Sequence, residues 1–419
     1  MWLVLALLLV ACTSAELFKG TSDRYLVYIV SKGGLANRLR AMADWYHLAR
    51  RTRRILLVSW EASLECNAPF ESLFDVEVMN LESFLVLPAS VQPTLEQVVS
   101  TARERGMTAA SILHDKEKRE RVGFVLSEHV QQELESDVKQ VLVTSHQGIF
   151  TFQHVSCIQY MKVRGQFLAA LEPTAGTRRV LDSLQQQYFQ DKLMVGVHIR
   201  WHDSRYDWEV VPPMMDGERA ADTALAFGDG AGLSDFSTAM TEILSKHPDG
   251  TVCFLVMSND ARIKQEMLSR FDDSVVSITC ELERGSQQGM ECAVLEFFAL
   301  AKSDLILHTY GSTFAEEAAQ MHKVPLVGIW NAARIYSQDS RLAGCGHMQY
   351  INTGVSGTPF PYSYTEGTRD QRGVDDPYYE MYPCPSYLPE WGLRDLYCSQ
   401  NTPPSAEAEQ QQESTGSLV

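Results

Sequence analysis

Short apolar runs, each closed by polar residues, alternate along this chain with stretches of helical periodicity. RYLVYIVS, Arg24–Ser31, reads as a first strand, and the glycine turn KGGLAN follows it. Leu39, Met42, Ala43, Tyr46 and Ala49 share one face at helical spacing, which predicts a helix over Arg38–Arg51. ILLVSW, Ile55–Trp60, reads as a second strand. Strand, turn, helix and strand in that order are the signature of a βαβ unit. Met79–Leu87 is expected to return to the core, and Gln140–Tyr160 is strand-like. Between them, the charged stretch Gln92–Gln140 reads as a solvated helical excursion, with a protein-docking surface as the alternative. ALEPTAGTRRVLDSLQQQYFQ reads as a hinge followed by a helix.

A second series begins near Lys192. The strand-like LMVGVHIR delivers His198, Arg200 and Asp203 into a loop. The Gly-, Asp- and Ala-rich stretch Met214–Ser234 is expected to be a loop beside a cleft, and FSTAMTEILSKH a helix. FLVMSND places Ser258, Asn259 and Asp260 after the next strand. ARIKQEMLSRF, SVVSITCE and AVLEFFALAKS read as helix, strand and helix. DLILHTYGSTF then puts Gly311, Ser312 and Thr313 just before a further helix, and PLVGIW closes the series as a last strand. Open parallel sheets bind ligands at the carboxyl ends of their strands, and these are the ends that carry the polar groups. The series reads as the anion-binding half of an α/β enzyme, with a nucleotide diphosphate as the expected anion.

With 419 residues, the chain is long enough for more than one core. Its formal charge of -17, from 36 basic and 53 acidic residues, argues against a nucleic-acid partner. MWLVLALLLVACTSA, residues 1–15, is apolar and then small, and reads as a cleaved signal peptide; a lipoprotein signal ending at Cys12, a buried strand and a short anchor are the alternatives. The expected location is the secretory pathway, in the endoplasmic reticulum or Golgi lumen, or outside the cell. Cleavage after Ala15 leaves eight of the nine cysteines, an even count that favours several disulfides. A local Cys384–Cys398 crosslink is one expectation, and Cys253, in an apolar strand, is a candidate inert thiol. Oligomeric state and membrane association are not legible.

GGLANRLRAMADWYHLA, GVHIRWHD and YGSTFAEEA, in this order, resemble three short sites of the GDP-fucose fucosyltransferase superfamily, which includes α1,6-, α1,2- and protein O-fucosyltransferases. The resemblance spans about residues 25–330 and is strong only at these sites. It implies an α/β, GT-B-like fold of two Rossmann-like domains facing across a cleft. The expected divisions are 24–173 on the acceptor side, 174–345 for the nucleotide sugar, a cysteine-containing extension over 346–400 and a disordered tail over 401–419. It also implies metal-independent, inverting transfer of fucose from GDP-fucose, the donor substrate, to a glycan or protein hydroxyl, with no further cofactor. Use of another GDP-sugar, or nucleotide-sugar or glycan binding without catalysis, are the alternatives.

Arg200 is the leading catalytic candidate, because a guanidinium offers a fixed fork to phosphate oxygens and the matching family arginine contacts the donor diphosphate. Many relatives have two adjacent basic residues there, whereas Trp201 follows Arg200 in this chain. Strand alternation puts His198 on the same face as Arg200, where it orders Arg200 or touches the nucleotide. Asp203 is expected to orient the basic cluster. Ser312 and Thr313 start a helix whose free N–H groups suit a phosphate, and Gly311 permits close backbone approach. Asn259 and Asp260 are expected at the nucleoside, with a helix N-cap as the competing reading of Asp260. Gly33 and Gly34 form a tight loop against ligand, and Asn37 contacts the transferred sugar or the phosphate. Asp207 and Glu209, with Glu61, are candidate bases, although a dedicated base is not required. No metal-ligand motif accompanies these elements.

Overall fold

The computed structural model describes residues 24–111, 140–145, 157–200, 233–247, 250–283, 285–309, 312–331 and 334–338. The first sheet is built from β1 (Tyr25–Val30), β2 (Ile55–Trp60), β3 (Phe84–Val86), β4 (Ala109–Ser111) and β5 (Val141–Thr144). Its order is β3-β2-β1-β5-β4 and every pairing is parallel. All six residues of the central strand β1 are buried. A strand covered on both faces has no solvent side, hence the unbroken apolar run YLVYIV.

Helix α1 (Leu35–Arg51) joins β1 to β2. It starts three residues before the expected Arg38, because Gly34 serves as its N-cap and Leu35 and Ala36 are already buried. A one-turn α2 (Phe70–Leu73) follows β2, and α3 (Leu95–Glu104) precedes β4. Thr94 and Gln97 form a reciprocal capping box on α3, a local reason for that helix to begin where it does.

The strand-like reading of Gln140–Tyr160 holds for β5 and fails at its end, since α4 (Cys157–Ala169) begins at Cys157. Neighbouring Phe167 and Leu168 are both fully buried, as α4 packs against two helices rather than one. Burial on several sides erases the single apolar stripe by which a helix is recognised. Gly165 is part of that packing, because a Cβ there would lie 3.1 Å from the Gln320 carbonyl oxygen. Helix propensity favours Gly165→Ala by about 1 kcal/mol, whereas overpacking against backbone costs ~1–3 kcal/mol. We expect a net loss of about 1 kcal/mol in chemical denaturation; a stabilised variant would mean that the close approach does not require glycine.

Helix α5 (Ala175–Leu184) runs into a π-helical turn, Gln185–Phe189. The second unit then contains β6 (Leu193–Ile199), α6 (Leu233–Lys246), β7 (Val252–Ser258), α7 (Ala261–Phe271), β8 (Val275–Ser277), α8 (Gln287–Ala301), β9 (Leu305–Thr309), α9 (Thr313–His322) and β10 (Leu326–Asn331). PLVGIW is not the last strand: β11 (Arg334–Gln338) pairs antiparallel with β10 at the edge. The order is β11-β10-β9-β6-β7-β8, parallel apart from that edge.

Alternation along the strands sorts the core into three layers. Val195, Val197, Phe254, Val256, Leu305 and Leu307 pack outward with α6 and α7 residues. Val27, Ile29, Leu57, Val141 and Val143 pack outward with α3 residues. The opposite faces of both sheets share one continuous cluster with α1, α4, α5, α8 and α9. The two Rossmann-like units thus meet through an apolar middle layer. One disulfide, Cys280–Cys292, lies among the described residues, and Cys66 and Cys253 are free and buried. Burial raises the Cys253 thiol pKa, in keeping with an inert thiol. The expected signal peptide, the 346–400 extension, the tail and the Cys384–Cys398 crosslink lie outside the described residues.

Candidate active site

In each sheet the chain leaves its first strand towards one side and later crosses back to the other. After β6 it proceeds to β7 and β8, then returns to lay β9 on the other side of β6. After β1 it lays β2 and β3 on one side and places β5 on the other. A crevice opens beyond the carboxyl ends of strands at such reversals. Gly33, Gly34 and Asn37 follow β1, and His198, Arg200, Ser312 and Thr313 lie at the ends of β6 and β9, whereas Asn259 and Asp260 follow β7.

His198 ends the buried face of β6, in register with His308 of β9. Its Nδ1 lies 3.3 Å from Ser312 Oγ, with the donor set by the tautomer. Its ring stacks on Phe314 with 5.2 Å between centroids. The Arg200 N–H donates to Thr309 Oγ1 at 3.0 Å. These contacts tie the end of β6, and with it the backbone of partly exposed Arg200, to the last residue of β9 and the start of α9.

Ser312 is the N-cap of α9 but makes no side-chain cap bond. Its hydroxyl is turned to His198 instead. Thr94, Thr174, Asp260 and Ser286 cap their helices in the ordinary way, with side-chain oxygens accepting from backbone N–H groups. The first turn of α9 therefore keeps its positive end without a side-chain cap, at the switch point. α1 is similar, because its N-cap is Gly34, which has no side chain to offer.

In the first unit, Gly33 has φ 86, a left-handed conformation that favours glycine. Both sides of this residue are held. Glu65 Oε2 accepts from its N–H. Arg38 Nε donates to its carbonyl at 2.7 Å. The same guanidinium donates to Glu61 O at 2.6 Å and Ser63 Oγ at 2.7 Å, and stacks over Trp60. Burial lowers the Arg38 pKa. Arg38 is thus the internal brace of the glycine loop. Asn37, one residue earlier, is exposed at the helix start. The bracing roles of Arg38 and Glu65 were not read from sequence, because Glu65 and two of the three acceptors of Arg38 come from the loop after β2.

The carboxyl edges of the two sheets approach each other. Asn67 Nδ2, from the loop after β2, donates to Gly285 O at 2.7 Å. Below them lies a buried charge cluster between α1, α4 and α9. Arg40 donates from Nη2 to Glu316 at 2.9 Å and from Nε to Glu317 at 2.5 Å. Arg164 Nε donates to the second Glu317 oxygen at 2.7 Å. Sequence reading missed this cluster as well. Its one signal was a pair of carboxylates in AEEAAQM, a segment of otherwise small and apolar character.

Asp260 caps α7 by accepting from Arg262 N at 2.8 Å and also pairs with the Arg262 side chain, which holds its pKa below the usual carboxylate range. Its neighbour Asn259 is exposed at the sheet edge. His308 is fully buried, and burial pulls it to about pKa 4 against the opposing charge of Glu316, so it is neutral near pH 7. Glu296 is buried on α8 with Lys264 Nζ at 2.5 Å. Among the described residues, one group of ligating side chains lies within reach of a common ion: Cys280, Cys292 and Glu296. Its cysteines are joined in the disulfide and its carboxylate is paired, so it is not a metal centre. Asp203, Asp207, Glu209 and Gly311 lie outside the described residues.

No protein family's model matches the chain, and no curated protein matches it. Solved structures do. Fucosyltransferase NodZ from Bradyrhizobium aligns with a TM-score of 0.51 at 16% identity, over 76% of this chain and 99% of its own. The NodZ α1,6-fucosyltransferase soaked with GDP-fucose aligns with a TM-score of 0.50 at 15% identity, over the same shares. POFUT1 in complex with GDP aligns at 0.47 and 15%, over 72% of this chain and 95% of its own. The fold is therefore of the GT-B type, two Rossmann-like units. The fold held in common with NodZ is the one that the three short sequence sites implied.

Proposed function

We propose that this chain transfers fucose from GDP-fucose to a hydroxyl of a glycan or protein, with inversion and without a resident metal. The observation that carries the reading is the start of α9. Its capping hydroxyl is diverted to His198, its first-turn N–H groups lack a side-chain cap, and the Arg200 backbone is tied to the last residue of β9 at a switch point. A row of backbone N–H groups and a planar guanidinium match a diphosphate in both charge and geometry. The fold in common with NodZ, which has been soaked with GDP-fucose, supports the choice of nucleotide sugar.

In the reaction, the bond between fucose C1 and the β-phosphate oxygen breaks, and its electron pair leaves with GDP. The acceptor oxygen forms the new bond to C1 from the opposite face and loses its proton. Arg200 and the α9 N-terminus stabilise the charge that grows on the departing phosphate. Asn37, exposed across from them, contacts the sugar or the phosphate. Asn259 and the Asp260 carboxylate serve the nucleoside. The proton passes to Asp207, Glu209 or Glu61, or to the leaving phosphate. The leader-like residues 1–15 support entry into the secretory pathway, with the acceptor in the endoplasmic reticulum or Golgi lumen or outside the cell.

The test is GDP release by purified residues 16–419 from GDP-fucose in chelator, with glycan and protein-domain acceptors. Acceptor-dependent release with a fucosylated product is expected. A folded sample that neither binds GDP nor turns over ends the reading. Ser312→Ala should weaken GDP binding about threefold to tenfold by calorimetry, the worth of one hydrogen bond together with the loosening of His198. Unchanged affinity would move the phosphate away from α9.

A further inference from the structure

The buried charge cluster occupies a particular place relative to the proposed site. Arg40 follows Asn37 by three residues on α1, and Glu316 and Glu317 follow Thr313 by three and four on α9. Residues at these spacings are neighbours on one helix face, about one turn apart. The Arg40 pairs with Glu316 and Glu317 therefore lie one turn in from two helix starts, one in each half of the protein. Those starts carry exposed Asn37 and the Ser312–Thr313 turn.

We infer that Arg40 is a positioning residue that sets the spacing between Asn37 and the Ser312–Thr313 turn, so that the two halves hold one sugar nucleotide between them. The inference rests on the fucosyl-transfer reading for its ligand, but not for its geometry. Packed helices stand about 8–10 Å apart, which leaves room for a ligand group between polar side chains at their ends. Arg40 is suited to the task because one planar group engages two carboxylates, Nε on Glu317 and Nη2 on Glu316. That arrangement fixes the rotation of α9 as well as its distance. Arg164 holds Glu317 from α4 and leaves the Glu316 contact to Arg40. The cluster is closed to water, with Arg40, Glu316, Glu317 and Arg164 all buried, so these contacts are not screened as surface pairs are.

The discriminating variant is Arg40→Lys. It keeps the charge but replaces the fork with a single ammonium that cannot span both carboxylates in the same way. With the fold intact by circular dichroism, GDP affinity should stay within about twofold, because Arg200 and the α9 start both belong to the second half. The KM for GDP-fucose should change little, while kcat falls by about 10- to 100-fold, the order that an ångström of misplacement costs. A folded Arg40→Lys with wild-type kcat would overturn the inference. So would equal losses in kcat and GDP binding, which mark general damage. Amide exchange provides the arm that needs no turnover. The first turns of α1 and α9 should exchange faster in Arg40→Lys than in wild type, while β1 and β6 do not change. Unchanged exchange at both helix starts would also overturn it. A wild-type protein that fails to bind GDP would sink the transferase reading alone, and the exchange experiment would still decide the positioning role.

Discussion

Arg200→Ala is expected to lower kcat/KM for GDP-fucose by about 100-fold or more, the order lost when one fixed donor to developing charge is removed. The backbone of Arg200 is anchored by Thr309 Oγ1, so truncation removes the guanidinium without releasing the strand end. In the proposed transfer the bonding pair leaves with two phosphates, and a guanidinium that reaches them would stabilise that charge more than it stabilises the substrate. The loss should therefore appear mainly in kcat, with a smaller decrease in GDP affinity. Arg200→Lys should recover only part of the rate, because an ammonium is a point charge and not a fork. Steady-state kinetics with calorimetry on both variants decides the matter. A change of less than about threefold in Arg200→Ala would remove Arg200 from the donor site.

Glu317→Ala should destabilise the fold by ~3–5 kcal/mol, the usual effect of stripping one partner from a buried ion pair. Glu317 is fully buried and accepts from both Arg40 and Arg164, which reach it from different helices. Its removal leaves two guanidiniums in the middle layer with the Glu316 carboxylate as their remaining acid in the cluster. Removing Arg164 together with Glu317 should cost less than the sum of the separate changes, since the pair then leaves as a unit. Urea denaturation of the two single variants and the double variant measures that coupling. Additive losses would show that Arg164 and Glu317 do not depend on each other.

Much of this protein was readable along the chain, and the reason is local. A buried parallel strand must be apolar on both faces, so β1, β2, β6, β7 and β9 announced themselves as continuous runs. Glycine is favoured at the Gly33 dihedral, and serine or threonine commonly opens a helix. The carboxyl ends of the strands were marked by the same change from apolar to polar residues. Those features depend on a residue and its near neighbours. They yielded the fold class, much of the order of elements and the strand ends from which the candidate site is built, but not β4, which lies within the stretch Gln92–Gln140 that read as helical.

Other features depend on residues far apart in sequence. α4 was missed because it is covered on several sides and lacks a stripe. The antiparallel strand β11 was missed because an edge position leaves little apolar signature. Arg38 looked like one more basic residue on a helix until Gly33, Glu61 and Ser63 were brought around it. Ser312 kept the sequence signature of an ordinary cap, but His198, 114 residues earlier, draws its hydroxyl away. The Arg40–Glu317 contact spans 277 residues. The sequence by itself determined the central buried strands, which of their ends carry polar groups and what chemistry those groups favour. Only the tertiary structure decided which helix start stays uncapped and which charges are buried together. The first set follows from short-range sterics and burial, whereas the second requires long loops to close before any partner is within reach.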